Sequence, residues 1–307
     1  MPAESAPDID VFLSGLLFFD LVFTGLEGPP EPGTEVWTGG MGSGPGGIAN
    51  FAVALSRLGM RVSLAAAFGD DVAGEYCREQ LTHAEDIDLS RSRTYPDWPT
   101  PVTVSLAYDG DRALVTHGRP PPQTPDELIG TPPPARAAVV HLGPEPQDWI
   151  RKAADAGTMV FADAGWEQAE RHGEAILAQL SDCHAFLPND AEAMAYTGKD
   201  SPYAALEVLS ALVPLAVVTL GGDGAIAVDR TTGERAEVGG LDVPALDSTG
   251  AGDVFGAALV AATLSGRPLA ERLRFANLAA SLSVQRIGGA AAAPFLDDLE
   301  PLVQHEK

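Results

Sequence analysis

Residues 247–255 read DSTGAGDVF and run directly into GAALVAATLSG, residues 256–266. The second stretch reads as an apolar helix, so the first sets the chain's most flexible backbone at a helix start. Gly250, Ala251 and Gly252 leave the N–H groups of the first turn free of bulky side chains. Added to the helix dipole, those groups make a site for an anion. Asp253 stands just inside it, and two readings of this acid stay open. It compensates the dipole, the ordinary role of an acid in a first turn, or it takes a proton from a nucleophile that attacks the bound anion. The latter is the arrangement that phosphoryl transfer to an alcohol needs. A Walker-type loop is excluded, because no G-x-x-x-x-G-K-[ST] occurs and the chain has three lysines.

Upstream of this stretch the pattern is that of a parallel sheet. AAVVHLG (137–143), TMVFADAG (158–165) and CHAFLPN (183–189) are short apolar strands separated by helical segments. LAVVTLGGDGAIAVD (215–229) reads as strand, glycine turn and strand, and the last two helices span about 250–265 and 268–285. Nearer the start, Ile9 to Leu17 reads as one buried strand, with LVFTGLEG (21–28) and TEVWTGG (34–40) as shorter ones. A helical period begins at Gly46 and carries Ile48, Phe51, Leu55 and Leu58 on one face. RVSLAAAFG (61–69) is then a strand, and Asp70 or Asp71 caps the following helix. PVTVSLAYDGDRALVTH (101–117) alternates around a tight turn, as a hairpin does, before a Pro-rich connection at 118–134. The expected fold is therefore a doubly wound α/β domain, with the early hairpin strands left over as a small separate sheet.

Composition narrows the function. With 19 basic and 43 acidic residues the net charge is -24, a field that repels nucleic acid. The two cysteines, Cys77 and Cys183, form neither a disulfide framework nor a metal cluster, which points to a reducing cytoplasm. The apolar run VFLSGLLFFDLVF (11–23) lacks the basic flank of a signal peptide and is broken by Asp20. No run approaches the length of a membrane span, so membrane partners are not expected.

Three further motifs bring glycines or acids to strand ends. GSGPGG (42–47) satisfies G-x-G-x-x-G, with Asp70 further on, so an NAD(P)-dependent oxidoreductase is an alternative from another class. Against it, the preceding segment is not a buried strand and Pro45 sits inside the turn; a flexible loop capping a helix is the bland reading. In LPNDAEA (187–193), Asn189 and Glu192 stand three apart, which a helix capping box also explains. TLGGDG (219–224) directs backbone N–H groups at another strand end, or is a plain hairpin turn. His141 and Asp163 also end strands at this edge. They read more simply as a core or supporting histidine and a turn-capping acid.

Taken together, GLLFFD (15–20), GGIANFAVALSRLG (46–59), PNDAE (188–192), VTLGGDGA (218–225) and DSTGAGDVFGAAL (247–259) resemble the ribokinase-like (PfkB) carbohydrate kinases, five motifs in the right order. The resemblance implies a single kinase domain over residues 1–307, with lid segments at about 19–39 and 95–118 that cover the sugar. It implies Asp253 as catalytic base and Gly250, Ala251 and Gly252 as anion hole. Asn189 and Glu192 would organise Mg²⁺ and the phosphates, Glu192 through water. Thr219, Gly221, Gly224 and Asn277 would contact ATP, and Asp20, Gly46, Gly47 and Asn50 the sugar hydroxyls. Asp247 would stand at a monovalent-cation (K⁺) site. In some relatives the lid is also the interface of a homodimer. Gly47 replaces a lysine of the ribokinase motif, and Gly143 an acidic sugar contact, so ribose is disfavoured as acceptor. A nucleoside kinase of the same fold is the nearest alternative. A catalytically silent sugar binder is the third, and an intact Asp253 argues against it.

Overall fold

The computed structural model describes residues 8–108 and 111–303. Fourteen strands are present among them: β1 Ile9–Ser14, β2 Leu17–Thr24, β3 Gly40–Gly47, β4 Val62–Ala65, β5 Ala67–Gly69, β6 Arg93–Tyr95, β7 Val102–Tyr108, β8 Asp111–His117, β9 Ala135–His141, β10 Met159–Asp163, β11 Ala185–Phe186, β12 Leu215–Thr219, β13 Ala225–Asp229 and β14 Glu234–Val238. The α-helices are α1 Ile48–Arg57, α2 Val72–Glu79, α3 Pro125–Ile129, α4 Asp148–Asp155, α5 Trp166–Gln179, α6 Asp190–Thr197, α7 Pro202–Leu212, α8 Ala251–Leu264, α9 Leu269–Ser283 and α10 Leu296–Val303.

Eight strands form the large sheet in the order β14-β13-β12-β11-β10-β9-β1-β4. From β12 to β4 neighbouring strands are parallel, and β13 and β14 add an antiparallel edge. The parallel strands are apolar over most of their length because both of their faces are covered, with polar residues chiefly near their ends. Along β9, Ala137 and Val139 belong to the core layer under α1, α8 and α9, while Ala138 and Val140 belong to the layer under α4 to α7. Helix α8 is buried over nearly its whole length, which is why its sequence is apolar on every side. Gly256 allows the ring of Phe51 to lie against it: a Cβ there would come within 2.5 Å of that ring. This close packing brings α1 alongside the start of α8.

The small sheet runs β3-β2-β7-β8. Here the structure differs from the sequence reading in three places. The first apolar run is two strands in two sheets, because the chain turns at Gly15 and Leu16, between β1 and β2. Residues 34–39 are not a strand; the partner of β2 begins at Gly40. And GSGPGG is not a phosphate-binding turn but the body of β3, antiparallel to β2 in unbroken register from Leu17↔Gly47 to Thr24↔Gly40. Glycine's poor strand preference is overridden because side chains would not fit. A Cβ on Gly40 would fall 2.7 Å from the Thr24 hydroxyl, and one on Gly46 would collide with the Asp20 carboxylate. The dinucleotide-binding alternative is lost with this assignment, since that fingerprint requires a turn off a parallel strand. The first two strands of the small sheet thus span Leu17–Thr24 and Gly40–Gly47. Asp71, not Asp70, caps α2, its side chain accepting from the Gly74 amide at 2.8 Å.

Candidate active site

The C-terminal ends of β1, β9, β10 and β12 and the segment after β11 open on one edge of the large sheet, facing the start of α8. The strand order reverses at β1, which lies between β9 and β4 although the chain enters β4 first. Open α/β sheets bind ligands at such a switch point.

Gly250 precedes α8 with φ 73° and ψ 3°, a left-handed conformation that glycine adopts without strain. Asp247 fastens this loop from below. One of its carboxylate oxygens accepts from the Thr249 amide and the other from the Gly288 amide, both at 2.9 Å. Asp253 follows in the first turn, and its Oδ2 accepts from Asn50 Nδ2 of α1 at 2.9 Å. Asn50 is itself buried. Gly47, with φ 63° and ψ -131°, turns β3 into α1 and so delivers Asn50 to this point. A Cβ on Gly47 would fall 2.4 Å from the Leu16 carbonyl, so a larger residue is not accommodated.

Asp253 is in an unusual electrostatic setting. Burial pushes its carboxyl up to about 8, the nearby Asp163 charge adds to the rise, and the Asn50 hydrogen bond holds it back. Asp20 reaches the same space from β2. Burial and the charge of Asp247 push its carboxyl up to about 6.

On the other side of the α8 start, a cavity of about 280 Å³ is lined by Thr219, Gly221, Gly224 and Asn277 together with Ala251 and Gly252. Every residue expected at the nucleotide, Asn189 and Glu192 excepted, is therefore beside the expected anion hole. Leu241, Val243 and Val284 give the far end of the cavity an apolar lining suited to a flat ring. The Asn277 amide donates to the Val238 and Gly239 carbonyls, so it shapes this wall through backbone. Asn189 and Glu192 form a reciprocal capping box at the start of α6. Asn189 also bridges to Thr219, which sets this box next to the end of β12. Their oxygen donors suit a hard dication such as Mg²⁺.

Two residues that read as supporting ones belong to the centre. His141 and Asp163 face each other in register at the ends of β9 and β10. His141 Nε2 lies 3.8 Å from Asp253 Oδ1 and 3.9 Å from Asp163 Oδ2. Burial lowers the His141 pKa and raises that of Asp163. Their shared position at adjacent strand ends was the available sequence signal, masked because each has a common structural role. A third is Arg112 of β8, whose guanidinium donates to Ser248 Oγ at 2.6 Å and ties the small sheet to the anion loop.

The family model described as pfkB family carbohydrate kinase matches residues 14–296. An ATP-dependent ribose-1-phosphate kinase of Halopiger xanaduensis is 31% identical over 261 residues, 83% of this chain and 84% of that protein. A probable fructokinase-4 of Arabidopsis thaliana is 28% identical over 297 residues, 85% of this chain and 87% of the relative. Among solved structures, the ribokinase of Arabidopsis thaliana complexed with ribose and ATP superposes with a TM-score of 0.78 at 24% identity, covering 98% of this chain and 99% of that one. The adenosine kinase of Sinorhizobium meliloti gives 0.78 at 22% identity, covering 97% and 99%.

Proposed function

The chain belongs to the pfkB family of carbohydrate kinases, and from that premise we propose that it transfers the γ-phosphoryl group of ATP to a hydroxymethyl oxygen of a sugar or sugar derivative. The observation that carries this reading is the position of Asp253. It is hydrogen-bonded to Asn50 and sits one residue past the glycine-built helix start that lines the cavity beside the end of β12. As the acceptor oxygen forms its bond to the γ-phosphorus, its proton passes to Asp253 and the bond to the ADP oxygen breaks in line. The N–H groups of residues 250–252 neutralise charge on the transferred group, and the rest is positioning. Asn189 and Glu192 are the residues that would hold Mg²⁺, Glu192 through water. The ion would offset phosphate charge when bound. The hard oxygens of Asp247 are chemically suited to K⁺, and no step is assigned to that ion. A supply of ATP and two buried free cysteines fit a cytoplasmic enzyme. Among the described residues no helix is long and apolar enough to cross a membrane.

The test is ADP release across a panel of hexoses, pentoses, sugar acids and nucleosides, beside calorimetry with ATP–Mg²⁺ and with NADPH. Turnover on at least one acceptor and binding of ATP alone are expected. Micromolar NADPH binding without ATP binding overturns the kinase reading. For the acceptor side, Asp20→Ala should raise the acceptor KM by about tenfold or more, since a lost charged hydrogen bond is worth roughly 1.5–3 kcal/mol. A changed ATP KM with a constant acceptor KM would assign Asp20 to the other substrate.

We further propose that the small sheet acts as a lid and as the contact surface of a homodimer. It joins the anion loop through Arg112, and Met41 of β3 and Val115 of β8 are exposed on the same face of it, with Trp37 beside it 87% exposed. Exposed apolar side chains on one face of a sheet suit an association surface. Sedimentation should give a dimer for the parent and a monomer for Trp37→Asp combined with Val115→Asp. A monomeric parent removes the proposal.

A further inference from the structure

The acceptor side of the site holds a set of donors of which the proposed phosphoryl transfer uses only Asp253. One donor atom each from His141, Asp163 and Asp253 lies within 4.8 Å of the other two. His141 Nε2 is buried and has no hydrogen-bond partner among the described residues. Each carboxylate has one oxygen held by a neighbour and the other turned to the imidazole. Asp163 Oδ1 accepts from the Ala164 amide at 2.8 Å, and Asp253 Oδ2 from Asn50 at 2.9 Å, leaving Asp163 Oδ2 and Asp253 Oδ1 facing His141. Such outer contacts fix ligand orientation in metal sites.

We propose that His141, Asp163 and Asp253 form a binding site for a first-row transition-metal dication, best suited to Zn²⁺, and that occupation of it inhibits the kinase. One imidazole and two carboxylates with a fourth position open is a donor set that zinc accepts. Mg²⁺ prefers oxygen ligands and keeps its waters, so the histidine discriminates against the ion that accompanies ATP. The geometry is near completion. Ligand atoms around tetrahedral zinc stand roughly 3.4 Å apart for bonds of about 2.0–2.1 Å. The two His141 pairs at 3.8 and 3.9 Å, and the carboxylate pair within 4.8 Å, therefore close by rotation of the side chains. A dication also relieves the repulsion between two partly buried acids whose pKa values are both raised. Coordination by a dication lowers the basicity of Asp253 and sets the ion against its Oδ1, so the bound ion opposes proton transfer from the acceptor. This inhibitory half rests on Asp253 being the base; the binding half does not.

Metal-free full-length protein is titrated with Zn²⁺ by calorimetry and with Co²⁺ by visible absorption. The expected result is one ion per chain at micromolar concentration, with Co²⁺ bands of four- or five-coordinate intensity. Affinity should fall at least tenfold in His141→Ala and in the nearly isosteric Asp163→Asn, with circular dichroism confirming that both fold. No saturable binding up to millimolar Zn²⁺, or unchanged binding in both variants, overturns the site. Rates of ADP release at buffered free Zn²⁺ separate the two halves. Inhibition competitive with acceptor supports both. Full turnover by zinc-loaded enzyme retains the metal site and removes Asp253 as base.

Discussion

Asp253→Asn should lower kcat by about 10²–10⁴-fold, the usual contribution of a positioned acid–base group, while ATP affinity holds or rises slightly. The amide keeps the size of the carboxyl and can still meet Asn50, but it cannot take a proton. The parent should also show a distinctive pH profile. Only the ionised carboxylate accepts the proton, and burial, the Asp163 charge and the smaller influence of Asp20 push its pKa to about 8, against the pull of Asn50 and Arg112. Below about 8, kcat/KM should fall about tenfold per pH unit, a limb the Asn variant lacks. The linkage to stability has a definite sign. A carboxyl with a raised folded-state pKa binds its proton more tightly in the folded chain, so its contribution is greatest at low pH and is lost as pH rises towards 8. Asp253→Asn should therefore gain in melting temperature relative to the parent as pH increases. A first-turn acid that only offsets the helix dipole is worth roughly 0.3–1 kcal/mol and predicts the opposite: a small loss of stability with nearly normal turnover. Turnover within threefold of the parent refutes the base.

The sequence made the large sheet legible for a physical reason: strands covered on both faces read as short apolar runs, and the helices between them carry their own period. The start of α8 was legible for another. Gly250, Ala251 and Gly252 before an apolar helix are hard to explain without a ligand. What failed was local propensity at β3. Seven of the eight residues in GMGSGPGG are Gly, Ser or Pro, which on composition alone read as loop. Their strand is held by its register on β2, and Asp20 and Thr24 of β2 leave room only for glycine at Gly46 and Gly40. Only the folded pairing reveals that, and it turned a supposed cofactor loop into the strand that sets Gly46 against Asp20. The same limit hid His141 and Asp163. Each has an ordinary explanation alone, and only the register of β9 on β10, with α8 laid across them, makes them a cluster with Asp253.

Gly250→Val should lower kcat by about 10²–10³-fold, the cost of losing an oxyanion-type donor, with a smaller change in the ATP KM. The backbone at Gly250 has φ 73°, where a β-branched residue is a genuine outlier. A Cβ there would also stand 3.2 Å from the Gly289 Cα and 3.3 Å from the Asn50 amide. Relief requires the loop to rotate, which turns the N–H groups of 250–252 away from one another and pushes Asn50 off Asp253. Some stability goes with it, so melting temperature should fall as well, and that variant alone leaves catalysis and folding entangled. Gly252 disentangles them. Beyond its chain neighbours and the backbone of its own helix, no atom of the described residues lies within 4 Å of a Cβ built on it, yet it lines the nucleotide cavity. Gly252→Ala should therefore melt at or above the parent, since alanine favours the helix. Its methyl group would meet only what the cavity holds, so turnover should drop although the fold is intact. If Gly252→Ala turns over as fast as the parent, the phosphoryl group does not pass over the start of α8, and the loss in Gly250→Val is one of folding alone.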